Sequence, residues 1–246
     1  MNRARRRVQA FSLALACVAA FAGGCGKKPA SEVEAIRASG VLRAAVVETG
    51  SRYARLEGKD VVGLEPDLAE YIADALGVKA EFNVCSKEEA LKAIDSGEAD
   101  IALGCINGSQ SLSESYQVST PYGKGYFYAV TRAGDFALTI GAFKDSSLGV
   151  AKNLDEETRG SLYGAEGITV REFPSAKEAA EAVRKGEIRA YICYEDQAKA
   201  LLAEEDLQVQ NVTNLDPEEF VILTAKGNQI LASGMDTLIR QFLEAE

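Results

Sequence analysis

The chain has 246 residues, with 27 lysines and arginines against 37 aspartates and glutamates and a formal charge of -10 at pH 7. An acidic balance of that size speaks against nucleic acid as a partner, because a phosphate backbone calls for a basic surface. Histidine and tryptophan are both absent, which removes Ser-His and Cys-His catalysis and the commonest metal ligand from consideration.

In chain order, Arg3, Arg5, Arg6 and Arg7 precede an uncharged apolar stretch from Val8 to Ala22, the pattern of a secretory signal. The stretch is shorter than the roughly 20 residues of a comfortable membrane span. It ends in Ala22-Gly23-Gly24-Cys25, which resembles the lipobox of bacterial lipoproteins, with Ala22 where leucine is usual. That resemblance implies a signal peptide over 1–24, diacylation of Cys25 and a lipid-anchored tether over 25–38. An ordinary secretory cut or an uncleaved anchor are the alternatives. Removing residues 1–24 takes away four arginines and no acids, so the formal charge moves from -10 to -14.

After Gly40 the run 41–47 has the length and apolarity of a buried strand. From Asp67 the residues Leu68, Ile72 and Leu76 recur every fourth position up to Gly77, a helix with its stop signal. A second strand follows over 80–84. Ser86 then stands three residues before Glu89, the spacing of a capping box, and a helix runs to Gly97 before the strand 101–103. Strands alternating with helices of this length predict βαβ units.

The segment Ser86–Cys105 recurs 89 residues later as Ser175–Tyr194, with six of twenty positions identical and the preceding strands 80–84 and 169–173 in register. A period that long, seen twice, reads as two similarly built lobes and not as a solenoid. The strand-like runs 125–131 and 219–224 are the expected crossings between lobes, and a last helix over 233–242 returns to the first. The expected division is 39–129 with 217–246 as lobe 1 and 130–216 as lobe 2.

With these residues in view the chain from about Val33 to Phe242 resembles the bacterial extracellular solute-binding proteins of family 3. The resemblance rests on Gly63–Gly77 as a helix entry, on Ser119-Thr-Pro121-Tyr122 before the hinge, and on Phe220–Asn228 as a return strand. It implies an α/β, type II periplasmic-binding-protein fold, two lobes joined by a two-strand hinge, with the ligand held at the carboxyl ends of strands as the lobes close. It also implies the substrate-binding lipoprotein of an ABC-type importer for amino acids, exported and anchored to the outer face of the cell membrane. The expected partners are a permease and a small-molecule ligand, the expected state is a monomer, and neither a cofactor nor catalysis is expected. An orphan sensory or scaffold lipoprotein is the runner-up. Some relatives are periplasmic dehydratases of cyclohexadienyl acids, but Glu65 and Asp67 occupy positions ordinary in binding members.

The family pattern places an arginine on lobe 1 for a ligand's α-carboxylate and an aspartate on lobe 2 for its α-amino group. Here those positions hold Leu112 and Tyr194, and Asn153-Leu154 replaces a Gly-Thr or Gly-Ser pair. A bidentate ion pair is a strong, orienting contact in a dry site, so its loss argues against a standard free α-amino acid. Either the ligand is a different small polar or aromatic solute, or neighbours substitute: Arg52 or Arg55 for an anion, Glu195 or Asp196 for a cation. The tyrosines Tyr53, Tyr122 and Tyr194 offer apolar faces with polar tips to an aromatic, heterocyclic or quaternary-amine ligand. The expected ligand-binding set is Arg52, Tyr53, Cys105, Asn107, Ser109, Tyr122, Asn153, Tyr194 and Glu195. Cys85, Cys105 and Cys193 fall near strand ends, and without a Cys-x-x-Cys spacing or a histidine they do not suggest a metal site.

Overall fold

A computed structural model describes residues 31–151, 160, 162 and 167–245. They form two compact units: one up to Tyr122 and again from Val221 onward, the other Gly123–Phe220. Among the described residues no helix is long and apolar enough to cross a membrane.

In the first unit, strand β1 (Val41–Val47) lies between two parallel neighbours, β4 (Lys79–Cys85) and β5 (Ile101–Leu103). Val46 therefore sits between Val84 and Leu103. The antiparallel strands β14 (Leu223–Ala225) and β6 (Tyr116–Val118) complete the order β4-β1-β5-β14-β6. Four of the seven residues of β1, Leu42 and Ala44 to Val46, are buried and the other three half-buried, as suits a parallel strand with covered faces. Between β1 and the first long helix runs a small hairpin, β2 (Arg55–Glu57) with β3 (Asp60–Val62).

The second unit repeats the plan. Strand β9 (Ser147–Ala151) is flanked in parallel by β10 (Thr169–Phe173) and β11 (Ala190–Tyr194), and β8 (Phe127–Arg132) and β12 (Leu207–Asn211) extend the sheet antiparallel. The helices named by the repeat, α3 (Lys87–Ser96) and α5 (Ala176–Lys185), start alike, with the Ser86 and Ser175 hydroxyls accepting the amides of Glu89 and Glu178. Ser86 and Glu89 form the full capping box, and both helices stop at a glycine, Gly97 and Gly186.

Three boundaries differ from expectation. Helix α2 (Leu64–Leu76) begins three residues early, because Pro66 falls in its first turn, where no intrahelical partner is asked of the missing N–H. Residues 32–38, expected to be tether, lie in helix α1 (Glu32–Ser39). Its Ile36 is buried, and the Glu32 carboxylate accepts the amides of Ile230 and Leu231 at 2.9 Å, capping the first turn of the final helix α7 (Gln229–Ala245). Residues 123–129 and 217–220 pack with the second unit. The short strands β7 (Gly123–Gly125) and β13 (Glu218–Phe220) pair with each other, and β8 is an inner strand of the second sheet. Gly125 is required there, since a Cβ would lie 2.5 Å from the Phe220 ring and 2.7 Å from that of Tyr194.

Candidate functional site

Strands β4, β1 and β5 run parallel, so their carboxyl ends share one edge of the first sheet, and β1 has partners on both sides. Open α/β sheets bind ligands at the carboxyl edge beside such a strand. The loop after β1 is tied internally: the Thr49 and Ser51 hydroxyls lie 2.7 Å apart, and Ser51 Oγ accepts the Tyr53 amide at 3.0 Å. It carries Arg52 exposed and Tyr53 buried. The Arg52 guanidinium lies 4.9 Å over the Tyr53 ring and donates to its hydroxyl at 3.1 Å.

Tyr53 meets Tyr122 edge to face, 6.3 Å between ring centres. The Tyr122 hydroxyl donates to the carboxylate of Glu65, a residue on the first turn of α2 that is fully buried. The same oxygen, Oε1, accepts the Cys105 amide at 2.7 Å, while Oε2 has no partner. Burial outweighs these bonds and pushes the Glu65 carboxyl from 4.5 up to about 7. The Tyr122 hydroxyl is held well above its ordinary value by burial and by the facing Glu65 charge.

Cys105 follows β5, half-buried, with φ +51°, and Gly104 before it has φ +133°. Only glycine fits at 104, where a Cβ would lie 2.5 Å from the Val47 carbonyl oxygen. Asn107 and Ser109 are half-buried farther along the same segment, with Ser109 Oγ 3.0 Å from Ser111 Oγ. Leu112, on the short helix α4 (Gln110–Ser115), packs against the core of its own lobe.

In the second unit Tyr194 ends β11, buried to 5% exposure. Its ring lies 5.5 Å from those of Phe127 and Phe220, and its hydroxyl donates to the buried Glu218 carboxylate. Glu195 opens the short helix α6 (Glu195–Lys199), pairs with Lys199 at 2.7 Å and accepts from the Tyr128 hydroxyl at 3.3 Å. Beside it, Asp196 Oδ2 and Gln197 Oε1 are buried without a hydrogen-bond partner. Asn153 and Cys25 lie outside the described residues.

The structure thus brings Arg52, Tyr53, Tyr122 and Cys105 together around Glu65, and sets Tyr194 against Glu218. All three candidate tyrosines are buried, with the hydroxyls of Tyr122 and Tyr194 bound to carboxylates. Neither Glu65 nor Glu218 was among the expected site residues, because both partnerships are long-range and leave no spacing signal. None of Cys85, Cys105 and Cys193 is in a disulfide. Cys85 pairs in register with Val47 on β1, while Cys105 follows β5 on the other side of that strand. Burial raises the Cys85 thiol to about 11 and holds that of Cys193 well above its ordinary value.

The profile described as "Bacterial extracellular solute-binding proteins, family 3" matches residues 42–245. An amino-acid-binding protein, AabA of Dichelobacter nodosus, is 26% identical over 195 residues, 73% of either chain. The virulence sensor protein BvgS of Bordetella pertussis is 30% identical over 137 residues, 55% of this chain and 11% of the sensor. The membrane-bound lytic murein transglycosylase F of Citrobacter koseri is 31% identical over 127 residues, 50% of this chain and 24% of that protein. The chain therefore spans about a tenth and about a quarter of those two relatives. Among solved structures, the amino acid ABC transporter substrate-binding protein AbpA of Streptococcus pneumoniae, bound to L-arginine, superposes with a TM-score of 0.72 at 22% identity, covering 86% of this chain and 92% of AbpA. A mutant of the arginine-bound ArgBP of T. maritima gives 0.71 at 19% identity, covering 85% of this chain and 99% of that one. These likenesses match the type II periplasmic-binding fold expected from the sequence, and the profile match over most of the chain establishes membership: the protein is one of the bacterial extracellular solute-binding proteins of family 3.

Proposed function

We propose that this protein is the substrate-binding lipoprotein of an ABC-type importer, capturing a small polar or aromatic solute by closure of its two lobes and performing no chemistry on it. The solute is amino-acid-like in size but not a standard free α-amino acid. The observation that carries this reading is Leu112, half-buried against the core of lobe 1, at the position where family members carry their carboxylate-binding arginine. Tyr194, at the position of the amine-binding aspartate, has its hydroxyl bound to Glu218 inside lobe 2. Arg52, Cys105, Asn107 and Ser109 are our candidates for ligand contact on lobe 1, and Asn153 and Glu195 on lobe 2. Tyr53, Tyr122 and Tyr194 then form the buried supports beneath them. The signal and Cys25 put the protein outside the membrane on a lipid anchor, with a permease as partner.

The likeness to part of a sensor protein favours one second reading, a ligand-reporting lipoprotein without a permease. Thermal unfolding against a metabolite panel, followed by mass spectrometry of any ligand retained through purification, tests capture. We expect an upward shift with a subset of amines or heterocycles and none with the standard amino acids. A shift with ordinary amino acids would refute the ligand assignment, and no shift with any compound would favour a cleft that no longer binds.

A further inference from the structure

The chain passes between the two units twice, at Tyr122–Gly123 and at Phe220–Val221, and the strands beside those points, β7 and β13, pair with each other. Tyr194 lies against both strands. Its ring meets Phe220 of β13 edge to face at 5.5 Å, and its hydroxyl donates to Glu218 of the same strand. Gly125 of β7 leaves the space that this ring fills, since a Cβ there would lie 2.7 Å from it. Glu218 and Gly125 are themselves partners in the β7–β13 ladder. Tyr194 is also the last residue of β11, in register with Phe127 of β8. One side chain therefore joins both crossing strands to the main sheet of lobe 2.

The hydroxyl gives this tie its direction. Ring contacts tolerate sliding, whereas a hydrogen bond to a buried carboxyl fixes a geometry and leaves a buried polar oxygen unsatisfied when it breaks. Lobe 1 seats its side of the crossings by other means. The internal repeat aligns Tyr194 with Cys105, and there the Cys105 amide and the Tyr122 hydroxyl share Glu65 Oε1. The Val221 amide donates to the Ile106 carbonyl at 3.0 Å, and the Ile222 amide to Ser119 Oγ at 2.9 Å. Residues on both sides of each crossing are thus bound into their own unit, which leaves the junctions 122–123 and 220–221 to absorb rotation. Hinges of this kind bend at a few such backbone positions.

We infer that Tyr194 is a hinge-positioning residue: by binding Glu218 it seats β7 and β13 on lobe 2 as one body, so that the lobes turn about the junctions 122–123 and 220–221. The position at which the family pattern has an amine-binding aspartate serves the hinge in this chain.

Every readout of the test is made without ligand, so a failure here leaves the capture reading standing. Tyr194→Phe keeps the ring and removes the hydroxyl. Hydrogen exchange read by mass spectrometry should become about tenfold faster over 123–125 and 218–220 together, the scale of one lost bond to a buried carboxyl. Strands β1 and β9 should keep their wild-type rates. Native-state trypsin digestion should show the same rise after Lys124, whose side chain is half exposed while its backbone pairs with Glu219. Unchanged exchange in the crossing strands overturns the inference, and so does an equal rise in β9, which would mark a structural role within lobe 2 at large.

Motion about the hinge is read by pulsed EPR between non-cysteine spin labels at the exposed positions Glu88 and Lys177, one in each unit. The distance distribution should broaden in Tyr194→Phe. It should keep its width in Tyr128→Phe, which removes another tyrosine-to-carboxylate bond of lobe 2, the one to Glu195. Equal broadening in both variants, or in neither, overturns the inference. If Tyr194→Phe does not fold, Glu218→Gln keeps an acceptor for the hydroxyl and weakens the bond. A smaller rise in exchange over the same two segments is then expected, and no rise there overturns the assignment.

Discussion

At the scale of single residues, Glu65 also sets how stability responds to pH. Its folded carboxyl, at about 7, lies above its ordinary 4.5, so the folded protein holds this proton more tightly than the unfolded chain. The stabilisation is complete below about pH 4.5 and is lost as pH rises through 7. A shift of this size corresponds to roughly 3 kcal/mol. The groups bonded to the carboxyl are Tyr122, before the first crossing, and Cys105, after β5, while in the β1 loop the Tyr53 carbonyl accepts the Glu65 backbone amide. Asp67 is the next charged residue along its own helix. Glu65→Gln should therefore flatten the fall in melting temperature between pH 5 and 8. A variant that keeps the wild-type slope would place the titration elsewhere.

At the scale of elements, the repeated helices α3 and α5 make a paired experiment. Both are ten residues long and begin with a serine whose hydroxyl accepts the amide three residues on, at 3.3 Å for Ser86 and 3.2 Å for Ser175. Loss of such a cap costs about 1 kcal/mol. Ser86→Ala should cost the more of the two, because only at Ser86 does the facing glutamate also return a bond to the cap's own amide, at 2.9 Å. Chemical denaturation of the two variants measures the difference, and a larger loss for Ser175→Ala would contradict the assignment. These helices were legible in the sequence because caps, stop glycines and apolar spacing are local signals, and the 89-residue recurrence joined them into two lobes. The site was less legible for the opposite reason. Tyr122 meets Glu65 across 57 residues and Tyr194 meets Glu218 across 24. A tyrosine reads alike in sequence whether it faces a ligand or is bound to a buried carboxylate. The apolar spacing that marks α2 begins only at Leu68, so its first turn, with Pro66 in it, carries no such signal, and the start of α1 rests on a short cap in which Ser31 accepts the Glu34 amide at 3.2 Å.

At the scale of the whole molecule, charge and anchoring are linked. Cleavage after Gly24 would remove four arginines and leave a formal charge of -14. A protein that acidic is repelled by anionic lipid headgroups, and no described helix crosses a membrane. Attachment would then rest on the acyl chains of Cys25 alone, and two such chains suffice where one is marginal, each buried methylene contributing about 0.8 kcal/mol. Cys25→Ser should therefore move the exported protein from the membrane fraction to the soluble one without changing its melting temperature, since helix α1, where lobe 1 begins, starts only at Glu32. Fractionation before and after a high-salt wash reads the result. A Cys25→Ser protein that stays with membranes through the wash would show that something other than lipid holds it there, and the anchor assignment would fail.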